Sequence, residues 1–177
     1  MTHGALPDPD DPTPGAHIHG WMAPIELRWL GARAAEMESI AEIGSLRGRS
    51  AFALLTACAG PVYCVDPWDD DGNHCFPAFL DACGHFRNVR PVHGLSPAVA
   101  ERIPDVDMVF LDGDHEYASV IADIAAWLPK TRKLLCGHDY YVPVEDAGFP
   151  GVPRAVQERF GENVAVGEGT SIWYVEL

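Results

Sequence analysis

The fold is decided by nine consecutive residues, Glu42-Ile43-Gly44-Ser45-Leu46-Arg47-Gly48-Arg49-Ser50. A short strand is predicted at residues 39–43, and residues 49–59 then carry apolar side chains at helical spacing. An apolar stretch follows at residues 61–65. Gly44 and Gly48 let the backbone bend sharply and bring main-chain amides close to a ligand. The segment therefore predicts a strand-helix-strand unit whose first turn binds a ligand.

The rest of the chain continues this alternation of strands and helices. Further strands are predicted at residues 88–93, 106–111 and 133–136, and further helices at residues 24–37, 97–102, 118–128 and 152–160. The chain then ends in two short strands, residues 164–166 and 171–177, joined by a turn at residues 167–169. Such alternation is typical of an α/β protein with a parallel, doubly wound sheet.

Length and composition favour one domain. With 177 residues, of which 47% are apolar, the chain can bury one sizeable core. The first twenty residues are rich in proline and aspartate and carry little apolar surface to offset the entropy lost on ordering. We therefore predict a flexible arm at residues 1–20 and a single domain at residues 21–177.

Charge and cysteine content limit the partners. The chain has 12 basic and 26 acidic residues, and its net charge of -14 would repel a nucleic acid. Its five cysteines are an odd set without a CxxC pair, which indicates a reducing compartment and no zinc site. No apolar run approaches the roughly 20 residues that cross a bilayer, and the sequence does not begin with a basic region followed by an apolar one. We expect a cytoplasmic protein with no membrane partner.

Two acidic residues suggest which ligand the first turn takes. The turn lacks the three glycines of a dinucleotide fingerprint and the lysine of a phosphate loop, so a pyrophosphate is disfavoured. Glu42 could instead face a cationic group. Asp66, followed by Pro67 and Trp68, ends the second strand, where a carboxylate accepts hydrogen bonds from ribose hydroxyls. A glycine turn also joins strand to helix in many unrelated proteins, so a purely structural turn stays open.

With these residues the chain resembles the class I methyltransferase family, which shares Glu-x-Gly-x-x-x-Gly at the first turn and an acidic residue after the second strand. Residues 93–96, 110–115 and 137–140 resemble the family's third, fourth and fifth strand ends. The closest resemblance, over residues 39–177, is to small bacterial members whose strand ends read Asp-Gly-Asp-His and Gly-His-Asp-Tyr. At Leu46 the family often has glycine.

The resemblance implies a Rossmann-like sheet of seven strands in the order 3-2-1-4-5-7-6, with the last strand antiparallel. It also implies S-adenosylmethionine as the cofactor. The cofactor-binding residues that it implies are Glu42, Gly44, Ser45, Gly48, Ser50, Asp66, Pro67, Trp68, Gly94, Leu95, Ser96 and Asp112. Most of the aromatic side chains are expected in the core or in pocket walls, but Trp68 follows Asp66 closely enough to lie against the adenine.

The ends of the fourth and fifth strands carry the candidate chemistry. Asp112 and Asp139 would meet at one rim of the sheet, with His138 beside them, and such carboxylates bind Mg²⁺ or another divalent cation. This arrangement resembles the metal site of catechol-type O-methyltransferases. The same resemblance makes His115 the general base. Two alternatives stay open: Asp112, Asp114 and His115 could cap the next helix, or one aspartate could order the cofactor loop without metal.

We therefore expect an S-adenosylmethionine-dependent O-methyltransferase acting on a small hydroxylated metabolite. An inactive module that binds the cofactor and a nicotinamide-dependent oxidoreductase are the alternatives. Residues 1–38 and 140–151 are the candidates for the acceptor pocket, because such pockets are built from variable segments. A partner subunit could also close the pocket, which leaves a homo-oligomer open.

Overall fold

The computed structural model describes residues 10–68, 75–141 and 148–177, which form one seven-stranded sheet with helices on both faces. The strand order is β3-β2-β1-β4-β5-β7-β6, and β7 runs antiparallel to both β5 and β6. This confirms the predicted fold. The strands are β1 (Ile40–Ile43), β2 (Val62–Asp66), β3 (Val89–His93), β4 (Val106–Leu111), β5 (Thr131–Gly137), β6 (Ala165–Val166) and β7 (Trp173–Glu176).

Two helical layers cover the sheet. The helices are α1 (Pro24–Ala34), α2 (Arg49–Ala57), α3 (Cys75–Cys83), α4 (Ser96–Val99), α5 (Tyr117–Trp127) and α6 (Gly151–Phe160). The core on one face joins α1, α2 and α3 to the sheet, with side chains such as Leu30 and Leu54 against Phe110. The core on the other face joins α5 and α6 to the sheet, with Ile124 and Val156 among its members. A sheet buried on both faces explains why β1 and β4 are buried along their whole length.

One helix was not expected from the sequence. Helix α3 contains Pro77 within its first turn and follows an acidic segment, and both features read as a break in regular structure. Proline is tolerated there because the first turn of a helix has amide groups without intrahelical partners. The polar loop predicted at residues 69–72 lies outside the described residues.

The N-terminal segment differs from the predicted flexible arm. Ala16 and Ile18 are buried, and the guanidinium of Arg49 donates hydrogen bonds to the carbonyls of Ala16, Ile18 and Met22. The segment has little hydrophobic surface, and hydrogen bonds from the buried arginine to its main-chain oxygens hold it on the domain instead. Residues 13–20, which were expected to belong to a flexible arm, pack on the domain in this structure, while residues 1–9 lie outside the described part of the chain.

All five cysteines are buried. Burial raises the pKa of Cys83 to about 12 and the pKa of Cys64 and Cys136 well above the ordinary thiol value. Within the described ranges, no helix is long and apolar enough to span a bilayer.

Candidate active site

A cavity of about 860 Å³ opens at the carboxyl ends of the parallel strands. Open α/β sheets bind ligands at this edge, near the point where the strand order reverses, which here lies between β1 and β4. The cavity is lined by most of the residues that the sequence predicted, namely Gly44, Ser45, Ser50, Asp66, Pro67, Gly94, Leu95, Ser96, Asp112, His115 and Asp139. Glu42, Gly48, Trp68 and His138 are not among its lining residues.

The turn after β1 is shaped by close contacts with its neighbours. Gly44 has φ +91°, and a Cβ atom there would lie 2.1 Å from the carbonyl oxygen of Asp112, so only glycine fits. Two residues later, Leu46 adopts φ +45°, which is unusual for a residue with a side chain. Its amide donates a hydrogen bond of 2.8 Å to Asp66 Oδ2. The turn after β1 is thus fixed by the residue that ends β2.

Asp66 also holds its own loop. Its Oδ1 accepts a hydrogen bond of 2.8 Å from the amide of Trp68, whose indole Nε1 donates to the carbonyl of Leu46. The indole of Trp68 packs against Phe79 and His93 and is only 7% exposed. Trp68, which was expected against the adenine, has a positive φ of +43°, and its indole is turned into the core and does not line the cavity.

Glu42 and Gly48 support the turn from beneath. The carboxylate of Glu42 is completely buried, and its Oε2 accepts a hydrogen bond of 2.5 Å from Ser45 Oγ. Burial raises the pKa of Glu42 to about 7, although the hydrogen bond from Ser45 opposes that shift. A Cβ atom on Gly48 would lie 2.6 Å from Cys83 Sγ, so this glycine allows α2 and α3 to approach each other.

Four ionisable side chains meet beyond the ends of β4 and β5. His115 Nε2 lies 2.8 Å from Asp139 Oδ2 and 3.7 Å from Asp112 Oδ1. His138 Nδ1 lies 3.3 Å from Asp139 Oδ2 and 3.7 Å from the same oxygen of Asp112. Asp139 has φ +60°, which directs its side chain away from the path of β5. The two imidazoles thus flank the two carboxylates.

The far side of His138 is held by helix α1. His138 Nε2 lies 3.1 Å from Glu26 Oε1, and that oxygen also accepts hydrogen bonds from the amide and the hydroxyl of Ser171. Although burial disfavours the charged imidazolium, Asp112, Asp139 and Glu26 raise the pKa of His138 to about 11. Burial likewise opposes ionisation of Glu26, yet His138 lowers the pKa of Glu26 to about 2.

Burial and neighbouring charges also determine the pKa values of the other members of the cluster. Burial works against a charged His115, but the two aspartates raise its pKa to about 9. Burial raises the pKa of Asp112, whereas the two histidines hold the pKa of Asp139 well below its usual range despite burial. Asp112, His138 and Asp139 each offer one ligand atom within 4.8 Å of the others, and among the described residues they are the group that could hold a metal ion.

Segments outside the sheet complete the cavity wall. His19, Trp21 and Met22 of the N-terminal segment line it, and Arg49 holds that segment in place. On the opposite side the ring of Phe149 stacks on His115, with centroids 4.2 Å apart. Trp21 and Phe149 are 58% and 43% exposed, so the mouth of the cavity is rimmed by large apolar side chains. Of the segment 140–151 predicted for the acceptor pocket, residues 142–147 lie outside the described residues.

Several residues in or next to the site were not predicted from the sequence. Asp123 lines the cavity and is 6% exposed. The sequence could have indicated that Asp123 is buried, because this residue falls on the same helical face as Val120 and Trp127, which is otherwise apolar. Arg49 and Glu26 gave no such signal, since a charged residue in the first turn of a helix is usually exposed.

Comparisons with known proteins give both a family and a fold. The family model described as a methyltransferase domain matches residues 41–140. No curated protein matches the chain. Among solved structures, cofactor-bound Rv0187 from MTB is 19% identical with a TM-score of 0.70, covering 88% of this chain and 80% of that one.

Two further structures are similar in fold. The O-methyltransferase from Bacillus cereus, solved in complex with SAH, is 17% identical with a TM-score of 0.66, covering 88% of this chain and 82% of that one. The MycE methyltransferase of the mycinamycin biosynthetic pathway, solved with Mg, SAH and mycinamycin VI, is 18% identical with a TM-score of 0.60. That match covers 89% of this chain and 49% of MycE.

Proposed function

Because the chain belongs to the methyltransferase-domain family, we propose that it transfers the methyl group of S-adenosylmethionine to a hydroxyl group of a small metabolite, with a divalent cation assisting. The observation that carries this proposal is the cavity, in which a glycine turn, three strand-end carboxylates and one histidine share a wall. The three carboxylates belong to Asp66, Asp112 and Asp139, and the histidine is His115.

The cofactor would lie along the carboxyl ends of the strands. Gly44 and Ser45 offer main-chain contacts to its amino acid part, and Asp66 offers carboxylate oxygens to the ribose hydroxyls. Each oxygen of Asp66 already accepts one main-chain hydrogen bond and has a lone pair left for a hydroxyl. Glu42 would act on the cofactor through Ser45, since its own carboxylate is buried beneath the turn.

The reaction is an in-line displacement at carbon. A bond forms between the acceptor oxygen and the methyl carbon, the bond from that carbon to the sulfonium sulfur breaks, and S-adenosylhomocysteine leaves with the electron pair. The acceptor hydroxyl loses its proton, which His115 would take at Nε2. Because Asp112 and Asp139 raise the pKa of His115 to about 9, the free base is the minor form at neutral pH while both carboxylates face it.

The cluster fits a metal. His138 Nδ1 faces both carboxylates while its Nε2 meets Glu26, which is the arrangement of a histidine ligand oriented by an outer carboxylate. Two carboxylates and one imidazole suit Mn²⁺ or Zn²⁺ as well as Mg²⁺. A bound cation would supply orientation and a lowered pKa to the acceptor hydroxyl. MycE, solved with Mg, offers a precedent on the same fold.

The direct test is methyl transfer by the purified full chain. Labelled S-adenosylmethionine is incubated with a panel of hydroxylated acceptors, with Mn²⁺, with Mg²⁺ and with a chelator. We expect transfer to at least one acceptor, a loss of about 100-fold or more in His115→Ala, and no change in His85→Ala, an exposed histidine away from the cavity. Cofactor binding without transfer to any acceptor would favour an inactive binding module.

A nicotinamide-dependent oxidoreductase is separated from this proposal by calorimetry. S-adenosylhomocysteine should bind the wild type, and NAD and NADP should not. Tight binding of a dinucleotide together with no binding of S-adenosylhomocysteine would contradict the proposed function.

A further inference from the structure

Asp123 is a buried acid in the cavity wall that the proposed reaction does not use. It lies on α5, toward the end of the cavity formed by the loop after β3, and it is 6% exposed. Its Oδ1 accepts a hydrogen bond of 2.5 Å from Ser96 Oγ. Across residues 10–68, 75–141 and 148–177, Oδ2 receives no hydrogen bond, so this oxygen remains for a ligand.

The orientation of Asp123 is fixed by a short chain of hydrogen bonds. The indole Nε1 of Trp127, which is fully buried, donates to Ser96 Oγ at 2.8 Å. Because Trp127 can only donate, Ser96 must accept from it and direct its own proton to Asp123. Ser96 Oγ therefore has no proton left for a ligand, whereas Oδ2 of Asp123 can accept a hydrogen bond from one.

The surrounding wall suits a flat, largely apolar ring. Leu95 and Pro97, which follow β3, line this end of the cavity together with Ala118, Ser119 and Ala122 of α5. The hydroxyl of Ser119 donates its hydrogen bond to Asp114. Leu95 is 67% exposed, so its side chain is available to cover a ligand. Apolar side chains beside an oriented carboxylate favour a ring that carries a hydrogen-bond donor on its edge.

We infer that Asp123 accepts a hydrogen bond from the 6-amino group of the cofactor's adenine, and that Ser96 is the positioning residue that orients it. This inference rests on the proposed function, because it takes the cofactor from that proposal. Of the cofactor's parts, the adenine is the flat ring with an exocyclic donor. Asp66, at the end of β2, stands between this slot and the glycine turn in the strand order, as the ribose does between adenine and amino acid.

Burial also gives the contact its selectivity. Removal from water raises the pKa of Asp123, although the hydrogen bond from Ser96 opposes that shift. A ligand that buries Oδ2 without donating to it would leave a desolvated acceptor unsatisfied, which is costly. The cavity should therefore discriminate against a purine that lacks the amine.

The test compares two ligands by isothermal titration calorimetry, S-adenosylhomocysteine and its 6-deamino purine analogue. In the wild type we expect the analogue to bind on the order of tenfold more weakly. In Asp123→Asn, which turns the acceptor Oδ2 into an amide donor, S-adenosylhomocysteine should lose about tenfold or more and the ratio between the ligands should fall toward one. Asp105→Asn, an exposed aspartate paired with Lys130, should keep the wild-type ratio.

The outcomes separate the inference from the proposal beneath it. Tight binding of S-adenosylhomocysteine with an unchanged ratio in Asp123→Asn would overturn the inference alone, and equal binding of both ligands by the wild type would do the same. Absence of binding to the wild type would overturn the proposed function and the inference with it. If Asp123→Asn does not fold, Ser96→Ala takes its place, and a wild-type ratio in that variant would overturn the inference.

Discussion

Leu46 holds a left-handed backbone conformation at φ +45°, in the middle of the turn between β1 and α2. The family often has glycine at this position, which adopts such angles without steric cost. The turn keeps this conformation because Asp66 binds its amide and Trp68 binds its carbonyl. Strain of this kind next to a ligand site is common, since surrounding contacts hold it in place.

At position 46, a glycine variant should be more stable than an alanine variant, which is the reverse of the usual order. Leu46→Ala keeps the strained angle and loses the packing of the leucine side chain, whereas Leu46→Gly loses the same packing but relieves the strain. We expect the glycine variant to be about 1 kcal/mol more stable than the alanine variant. Urea unfolding of both variants measures this difference. An alanine variant that is equal or more stable would show that the angle carries no strain.

Glu42 should make stability depend on pH. Burial raises its pKa to about 7 in the folded protein, above the ordinary value of 4.5. Between these two values the folded state binds more protons at this site than the unfolded state, so its contribution to stability falls as pH rises from 4.5 through 7. The whole effect is at most about 3 kcal/mol.

Glu42→Gln removes this titration and serves as the measurement. The free energy of unfolding of the variant relative to the wild type should increase between pH 5 and pH 7.5 and stay level above pH 8. A difference that is constant over this range would mean that Glu42 is ionised throughout.

At the scale of elements, most of the fold could be predicted because the sheet is buried on both faces. Strand β4 was predicted with its observed bounds, since five of its six residues are apolar and it lies between two predicted helices. The direction of a side chain after a strand could not be predicted. Trp68 turns into the core and Asp139 turns toward His115 because of positive φ angles that the sequence does not reveal.

The site was predictable to the extent that it depends on strand ends. Asp66, Asp112 and Asp139 come together because parallel strands end at one edge. Contacts between residues that are far apart in the sequence could not be predicted from the local sequence pattern. Glu26 reaches His138, and Arg49 reaches Met22, only once the tertiary fold brings α1, α2 and the N-terminal segment together.

Helix α2 should control the order of the N-terminal segment through Arg49. Arg49→Met would leave the carbonyls of Ala16, Ile18 and Met22 without their donor, so residues 13–22 should detach before the sheet unfolds. Limited proteolysis should cut this segment at least tenfold faster than in the wild type. Arg90→Met is the matched control, because Arg90 also donates to main-chain carbonyls but is exposed. Equal cleavage rates in the two variants would contradict the role of Arg49.

At the scale of the whole molecule, acidic residues exceed basic ones by 26 to 12. Like charges on a compact protein repel one another, and salt screens that repulsion over roughly 10 Å at 0.1 M. Exposed pairs such as Arg33 with Glu176 lose little on screening, because surface ion pairs contribute little.

The melting temperature should therefore rise with salt. Between 20 and 300 mM NaCl, with a chelator present to exclude metal binding, we expect an increase of a few degrees in a differential scanning calorimetry experiment. A melting temperature that falls with NaCl would mean that attractive pairs dominate the surface.

The reactivity of the buried cysteines can report where and how often the folded structure opens. Cys64 and Cys136 lie in β2 and β5, two interior strands of the sheet, whereas Cys58 lies just beyond the end of α2. A thiol reagent can modify each one only while its surroundings are open, so labelling rates read out local and global opening separately. Mass spectrometry of such labelling, with and without cofactor, would locate the region that a ligand stabilises without any engineered probe.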